Sequence, residues 1–418
     1  METTTTEQLS SKQLMELEDK YGAHNYHPLG VVLAKGDGVR VWDVEGKQYF
    51  DFLSAYSAVN QGHCHPRLVE TITKQAKTLN LTSRAFYNDK LGVFEKFACE
   101  YFGYEKLLPM NTGAEGVETA IKICRKWGYE KKGIPNNQAK ILVCGENFHG
   151  RTVTIISFSS DPDARGHFGP YTPGFETVPY NDIPALKAAL EADSANIAGF
   201  LVEPIQGEAG VNVPDDGFLS NAYALCKEHN VLFIGDEIQT GIARTGRLLA
   251  CDHDNVRPDI LILGKALSGG MYPVAAVLAD NYIMDVIHPG QHGSTYGGNP
   301  MACAVAIEAL NIVKDEALAD NATHMGELFR ARMNKLAEKT DLINKVRGKG
   351  LLNAILINDT PDSSTAMDLC IAMSKNGLLA KPTHGNIIRF APPLVINQKE
   401  LEECCTIIEE TVLSFKKK

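Results

Sequence analysis

Two stretches decide the fold: Val231-Leu-Phe-Ile-Gly235 running into Asp236-Glu-Ile-Gln239-Thr-Gly241, and Asp259-Ile-Leu-Ile-Leu-Gly264 running into Lys265-Ala-Leu-Ser-Gly-Gly270. Each is a short apolar run that stops at a charged residue inside a turn-prone segment. Buried parallel strands read this way, and they carry functional side chains to the carboxyl edge of an α/β sheet, where ligands bind. One edge residue is a carboxylate and the other an amine, so the pair can hold a ligand by both ends.

Further strands are predicted at 140–144, 198–202 and 274–278, with amphipathic helical stretches at 115–131 and 217–229 between several of them. Alternation of this kind over residues 66–300 predicts a mostly parallel sheet with helices on its faces. Before it, residues 31–53 alternate apolar and polar positions around Gly38 and Gly46, the pattern of a small antiparallel meander. After it, Asn299-Pro300 opens a long apolar-periodic segment, followed by strand (351–357), helix (364–376), strand (386–390) and helix (398–415). The expected architecture is an α/β large domain over 56–305, a smaller α+β C-terminal domain over 306–418 and an N-terminal segment over 1–55. The first twenty residues read as polar and peripheral.

At 418 residues, 44% hydrophobic, the chain is long enough for two or three cores. Its net charge of -10 disfavours a nucleic-acid surface. Nothing approaches the roughly 20 uninterrupted apolar residues of a membrane span. Ten cysteines with no C-x-x-C pair, behind an N-terminus poor in arginine, read as a reduced compartment, with cytosol the default.

A lysine held after a buried strand has a lowered pKa and can form an imine, which makes Lys265 the first candidate. A phosphate-cradling lysine would need glycine five residues before Gly264 and a hydroxyl after the lysine, but Asp259 and Ala266 stand there. A solvated loop lysine is the plainer alternative. Asp236 can hold a protonated pyridine nitrogen, as around pyridoxal phosphate, or cap the next turn. Gln239 could reach the ring's phenolic oxygen. Asn111-Thr-Gly-Ala-Glu-Gly-Val-Glu118 enters a helix, and its N–H groups and positive dipole end suit a phosphate or form a simple cap. Phe148 could stack on a ring or sit in the core. Arg151 stands beside Gly150 at a strand edge, and Arg389 interrupts the apolar Ile387-Ile-Arg-Phe-Ala. A guanidinium in such a strand must be paired, with a ligand carboxylate or with an internal acid such as Glu208. His63-Cys64-His65 is too compact for a tetrahedral metal site and reads as a loop. There is no dinucleotide fingerprint and no nucleophile elbow.

Seven segments in order carry a resemblance: YGAHNYHPL (21–29), FLSAYSAVNQGHCHP (52–66), LVEPIQGEAGV (201–211), LFIGDEIQTGIARTG (232–246), LGKALSGG (263–270), HGSTYGGNP (292–300) and KPTHGNIIRFAPPL (381–394). From about Tyr21 to Phe415 the chain resembles the class-III (ω-amino) aminotransferases of fold-type I, and within them the branch that acts on ornithine. The resemblance implies pyridoxal 5'-phosphate as cofactor, with Lys265 as its Schiff-base lysine and Asp236 as the partner of its pyridine nitrogen. It further implies Gln239 at the phenolic oxygen, Phe148 on the ring, and Gly113 and Ala114 on the phosphate. Ser294 and Thr295 would reach that phosphate from the other subunit of a homodimer. Tyr26, Tyr56 and Arg151 match ornithine-recognising positions, and Glu208 and Arg389 a carboxylate switch that also admits 2-oxoglutarate. Acetylornithine and 4-aminobutyrate aminotransferases are the nearest alternatives. Ala114-Glu-Gly-Val-Glu118 departs from the commoner Ala-Glu-Ala-Asn-Glu but leaves the turn and helix start intact.

Overall fold

The computed structural model describes residues 9–416; Met1–Gln8, read above for a leader, and Lys417-Lys418 lie outside them. Ser11–Tyr21 form a helix closed by a reciprocal cap between Ser10 and Gln13, and none of its residues is buried. This segment is therefore peripheral but ordered into a helix. The meander follows as β1 (Leu33–Asp37), β2 (Arg40–Asp43) and β3 (Gln48–Asp51), antiparallel throughout.

The central sheet takes β4 (Lys106–Met110), β5 (Lys140–Cys144), β6 (Phe175–Val178), β7 (Ile197–Val202), β8 (Leu232–Asp236), β9 (Ile260–Leu263) and β10 (Ala275–Ala279). Its order is β4-β10-β9-β8-β7-β5-β6, with β10 antiparallel to both neighbours and every other pairing parallel. β7, β8 and β9 are buried along their whole length, which is why their sequences are continuous apolar runs. The order places the ends of β8 and β9 side by side, so Asp236 and Lys265 leave neighbouring strands at one edge. Helix Gly113–Trp127 lies on this sheet. Thr112 and Glu115 cap each other reciprocally at its start. A Cβ on Gly116 would come within 3.0 Å of Ile262, so glycine here allows the helix to lie close to β9.

The predicted long segment after Pro300 is two helices, Pro300–Asp315 and Leu318–Ala337, broken at Ala317, whose φ of 49° no helix continues. Then come β11 (Ile343–Lys349), β12 (Leu352–Ile357), helix Thr365–Lys375, β13 (Leu378–Leu379), β14 (Lys381–Thr383), β15 (Ile387–Phe390) and helix Gln398–Ser414. Four of these strands form the sheet β11-β12-β15-β14, while β13 crosses over to pair in parallel with β3 of the meander. Among the described residues no helix is long and apolar enough to cross a membrane.

Candidate active site

At the carboxyl edge of β7, β8 and β9 lies a cavity of about 200 Å³ lined by Gly113, Ala114, Phe148, His149, Glu203, Asp236, Ile238, Gln239 and Lys265 among others. Asp236 ends β8 and is buried. One of its oxygens accepts from His149 Nδ1 at 2.6 Å and the other from the backbone of Ile238 at 3.1 Å. Burial works to discharge His149, but the hydrogen bond and charge of Asp236 prevail and raise its pKa. His149 Nε2 is buried and has no protein partner. Glu203, one residue past β7, accepts from the Phe148 N–H at 2.9 Å, and burial pushes its carboxyl up to about 7. Lys265 faces this acidic group. Burial, then the charge of Arg389, push its amine down to about 8.

Gly113 and Ala114 occupy the first turn of their helix, where N–H groups have no intrahelical acceptor. Phe148 and Ile238 give the cavity apolar walls. An amine of lowered pKa, a buried carboxylate hydrogen-bonded to an imidazole, an anion-favouring helix start and flat apolar walls are the donor set that a phosphorylated pyridine aldehyde requires. The residues present fit pyridoxal phosphate.

Arg389 enters from β15. It is 2% exposed, and its Nη1 donates to Glu208 Oε2 at 3.0 Å, to the Gly207 carbonyl at 3.2 Å and to Gln239 Oε1 at 3.3 Å. Burial would raise the Glu208 carboxyl, but Arg389 overcomes it and holds the pKa below its ordinary value. Glu208 sits on a loop closed by a bridge between Gln206 and Asn212. The loop is tied to the C-terminal sheet by Thr383, donating to the Glu208 carbonyl at 2.6 Å, and by Arg347, donating to that of Gly210 at 2.8 Å. Gln239 thus has its amide oxygen on Arg389, at a close approach that only glycine at 207 permits.

The Tyr56 ring lies 4.9 Å from the Arg389 guanidinium, and burial followed by the charge of Glu208 raises its phenol pKa. Tyr56 is carried by Ser54–Ser57, four consecutive non-glycine residues with φ between 47° and 71°. A left-handed turn costs L-residues about 1–2 kcal/mol each. Asp51 offsets part of it by accepting from the N–H groups of Leu53 and Ser54 at 2.8 and 2.9 Å. Arg151 is exposed, with its guanidinium 5.6 Å from the Phe148 ring, and Tyr26 is 66% exposed.

Ser294 and Thr295 do not line the cavity of their own chain. Ser294 accepts from Asn111 at 2.8 Å, and Thr295 is exposed. His63 and His65 are held apart by different carboxylates, Asp51 at 2.7 Å and Glu316 at 2.9 Å. His149, Glu203 and Ile238 are the site residues that the sequence reading left unassigned. Glu203 carries the signal used for Asp236, an apolar run ending in an acid.

Residues 21–412 match the model of the class-III aminotransferase family. The chain is 58% identical to mitochondrial ornithine aminotransferase of Rattus norvegicus over 406 residues, covering 97% of this chain and 91% of the relative. It is similar to the crystal structure of acetylornithine aminotransferase from Elizabethkingia anophelis, with 63% identity, a TM-score of 0.90 and coverage of 97% and 100%. It is also similar to an ornithine aminotransferase structure from Toxoplasma gondii with partial occupancy of pyridoxal phosphate at the active site. There the identity is 49%, the TM-score 0.94 and the coverage 97% and 94%. The cavity and its lysine thus belong to a chain that is a member of the class-III aminotransferases.

Proposed function

We propose that this enzyme transfers the δ-amino group of L-ornithine to 2-oxoglutarate with pyridoxal 5'-phosphate as cofactor. The products are glutamate-5-semialdehyde, which cyclises with loss of water to pyrroline-5-carboxylate, and glutamate. The observation that carries this reading is the buried Arg389 held by Glu208 at 3.0 Å beside Lys265. The identity to the rat enzyme supports it.

When bound, the cofactor supplies an electron sink and a carrier for the amino group. Asp236, oriented by His149, would hold the pyridine nitrogen, and Gly113 and Ala114 the phosphate. Phe148 would cover the ring and Gln239 contact its phenolic oxygen. Lys265, with its amine free, would take a proton from the ornithine δ-carbon as general base and serve next as general acid. Arg151 would pair with the distal carboxylate of ornithine, and Tyr26 and Tyr56 with its α-amino end. In that half-reaction Glu208 neutralises Arg389, so no free guanidinium draws the α-carboxylate towards Lys265. For 2-oxoglutarate, Glu208 moves aside, Arg389 takes the carboxylate next to the keto group and Arg151 the far one.

The assembly we propose is a homodimer with Ser294 and Thr295 reaching the partner's phosphate. Exposed Phe86, Tyr87 and Tyr296 support it. They lie on two adjoining loops, bridged by Asn88 donating to the Gly298 carbonyl, and offer an apolar face to a second copy. For location we propose the cytosol. Free cysteines suit a reducing compartment, and the mitochondrion, named for the rat relative, is the alternative that fractionation separates.

The name of the structural relative from Elizabethkingia anophelis, an acetylornithine aminotransferase, makes acetylornithine the donor to test against ornithine. An acylated α-amine gives Tyr26 and Tyr56 no ammonium to meet. Mixing the holoenzyme with one amine and no oxo-acid decides between them. Ornithine should bleach the cofactor band and 2-oxoglutarate restore it. Bleaching by acetylornithine alone would move the substrate and keep the fold.

A further inference from the structure

Arg244 is wholly buried, and among the described residues it forms no ion pair with a carboxylate. Its Nη1 donates to the carbonyls of Leu351 at 3.0 Å and Pro392 at 2.6 Å, and its Nη2 to Asn60 Oδ1 at 2.5 Å. Nε is left without a partner. A guanidinium out of water with only neutral acceptors is costly, and a methionine would fill the same space more cheaply. The backbone leading to it is also forced, with φ of 55° at Ile242 and 71° at Ala243.

Its acceptors explain the arrangement. In the β12–β15 ladder Ala354 stands opposite Arg389. Three residues further along each segment, just past the ends of the two strands, are Leu351 and Pro392. One arm of Arg244 therefore grips both strands just beyond the pair that carries Arg389. The other arm is fixed through Asn60, which donates to the Ile242 carbonyl at 2.8 Å and accepts at its own carbonyl from Leu394 N–H at 2.8 Å. Leu351 N–H closes the ring on the Arg244 carbonyl at 3.1 Å. A planar fork spans these acceptors, and an ammonium does not.

We propose that Arg244 is a positioning residue for Arg389, setting the height of β15 from which Arg389 meets the carboxylate beside the keto group of the oxo-acid. This rests on the reading that Arg389 takes that carboxylate. With ornithine bound, Glu208 and the Gly207 carbonyl hold Arg389 from the front. With the oxo-acid bound, Glu208 has left, and the grip from behind decides where the guanidinium lies.

The test uses holoenzyme carrying Arg244→Lys or Arg244→Met. The donor is whichever of ornithine and acetylornithine the wild type consumes, so an error about the donor does not affect the outcome. The KM for 2-oxoglutarate should rise about tenfold, while the single-turnover rate with the donor stays within about twofold. Equal losses in both half-reactions, or an unchanged KM for the oxo-acid, would overturn the proposal. If the Arg244 variants do not fold, Asn60→Ala removes the acceptor of Nη2 and leaves the Nη1 grip on Leu351 and Pro392 in place. It also removes the donor to the Ile242 carbonyl, keeps Arg244 itself, and should reproduce the asymmetry at smaller size, while a symmetric loss there overturns the idea equally.

Discussion

On the floor of the cavity, Asp236 and Lys265 sit at or just beyond the ends of adjacent strands of one sheet, and Asp236 is backed by His149 and Glu203 lies beside them. At its rim, Tyr26 and Arg151 are exposed, Tyr56 rides a strained left-handed turn, and Arg389 arrives from a different sheet. The floor is rigid because every strand beneath it is buried on both faces. The rim is assembled from segments far apart in the chain. In the function proposed above, chemistry that must not vary would rest on the first kind of support, and discrimination between substrates of different shape on the second.

Changes at the floor should abolish turnover, and changes at the rim should alter choice. Lys265→Ala should reduce transamination by on the order of 10⁴-fold or more with the fold kept, measured as kcat beside a thermal unfolding curve. Residual activity near wild type would remove the floor's claim to the chemistry. Glu208→Ala should leave the rate with ornithine within reach of wild type. Its preference for the δ-amine over α-amines should fall by about tenfold to a hundredfold, read from kcat/KM ratios. An unchanged preference would mean that Arg389 is not switched by Glu208.

Glu203 belongs to the floor and should register in stability. Its carboxyl, pushed by burial from 4.5 up to about 7, holds a proton in the folded chain that the unfolded chain has released. The stability it contributes is complete below about pH 4.5 and is lost as pH rises through about 7. Glu203→Gln should therefore flatten the decline of the thermal midpoint between about pH 5 and about pH 8, by a few degrees. A slope identical to wild type would assign the proton elsewhere. The smallest effect is expected at the rim. Ala55→Gly relieves one left-handed residue, so the midpoint should rise by the equivalent of about 1 kcal/mol. Tyr56 should then be held less firmly, and the preference for ornithine over 4-aminobutyrate should weaken. A higher midpoint with preference intact would mean that the strain has no part in recognition.

The central strands were legible because burial on both faces leaves uninterrupted apolar runs. The strands that the sequence did not mark, β4, β6, β11, β13 and β14, all lie at sheet edges. β4 contains Pro109 and β14 contains Pro382, residues tolerated where one side of the strand needs no partner, and these disguise a strand in a linear reading. Asp236 and Lys265 could be found by position after an apolar run. His149 could not, since its partner lies 87 residues away and only the sheet order brings them together. The need for Arg389 to be paired was legible from its apolar surroundings. That its neighbours include Gln239 and the Tyr56 ring was not.

The pairing of β13 with β3 also bears on how the chain is made. The edge of β3 has its partner in a strand that the ribosome delivers roughly three hundred residues later. At about 10 residues per second, that edge stays open for roughly half a minute during synthesis. Phe50, Phe52 and Val39, buried in the finished molecule, are available for wrong partners throughout that interval. A chain stopped before Leu378 would lack β13 and leave the meander unfinished. Premature termination late in the message should therefore yield a protein prone to aggregate rather than one that is merely less active.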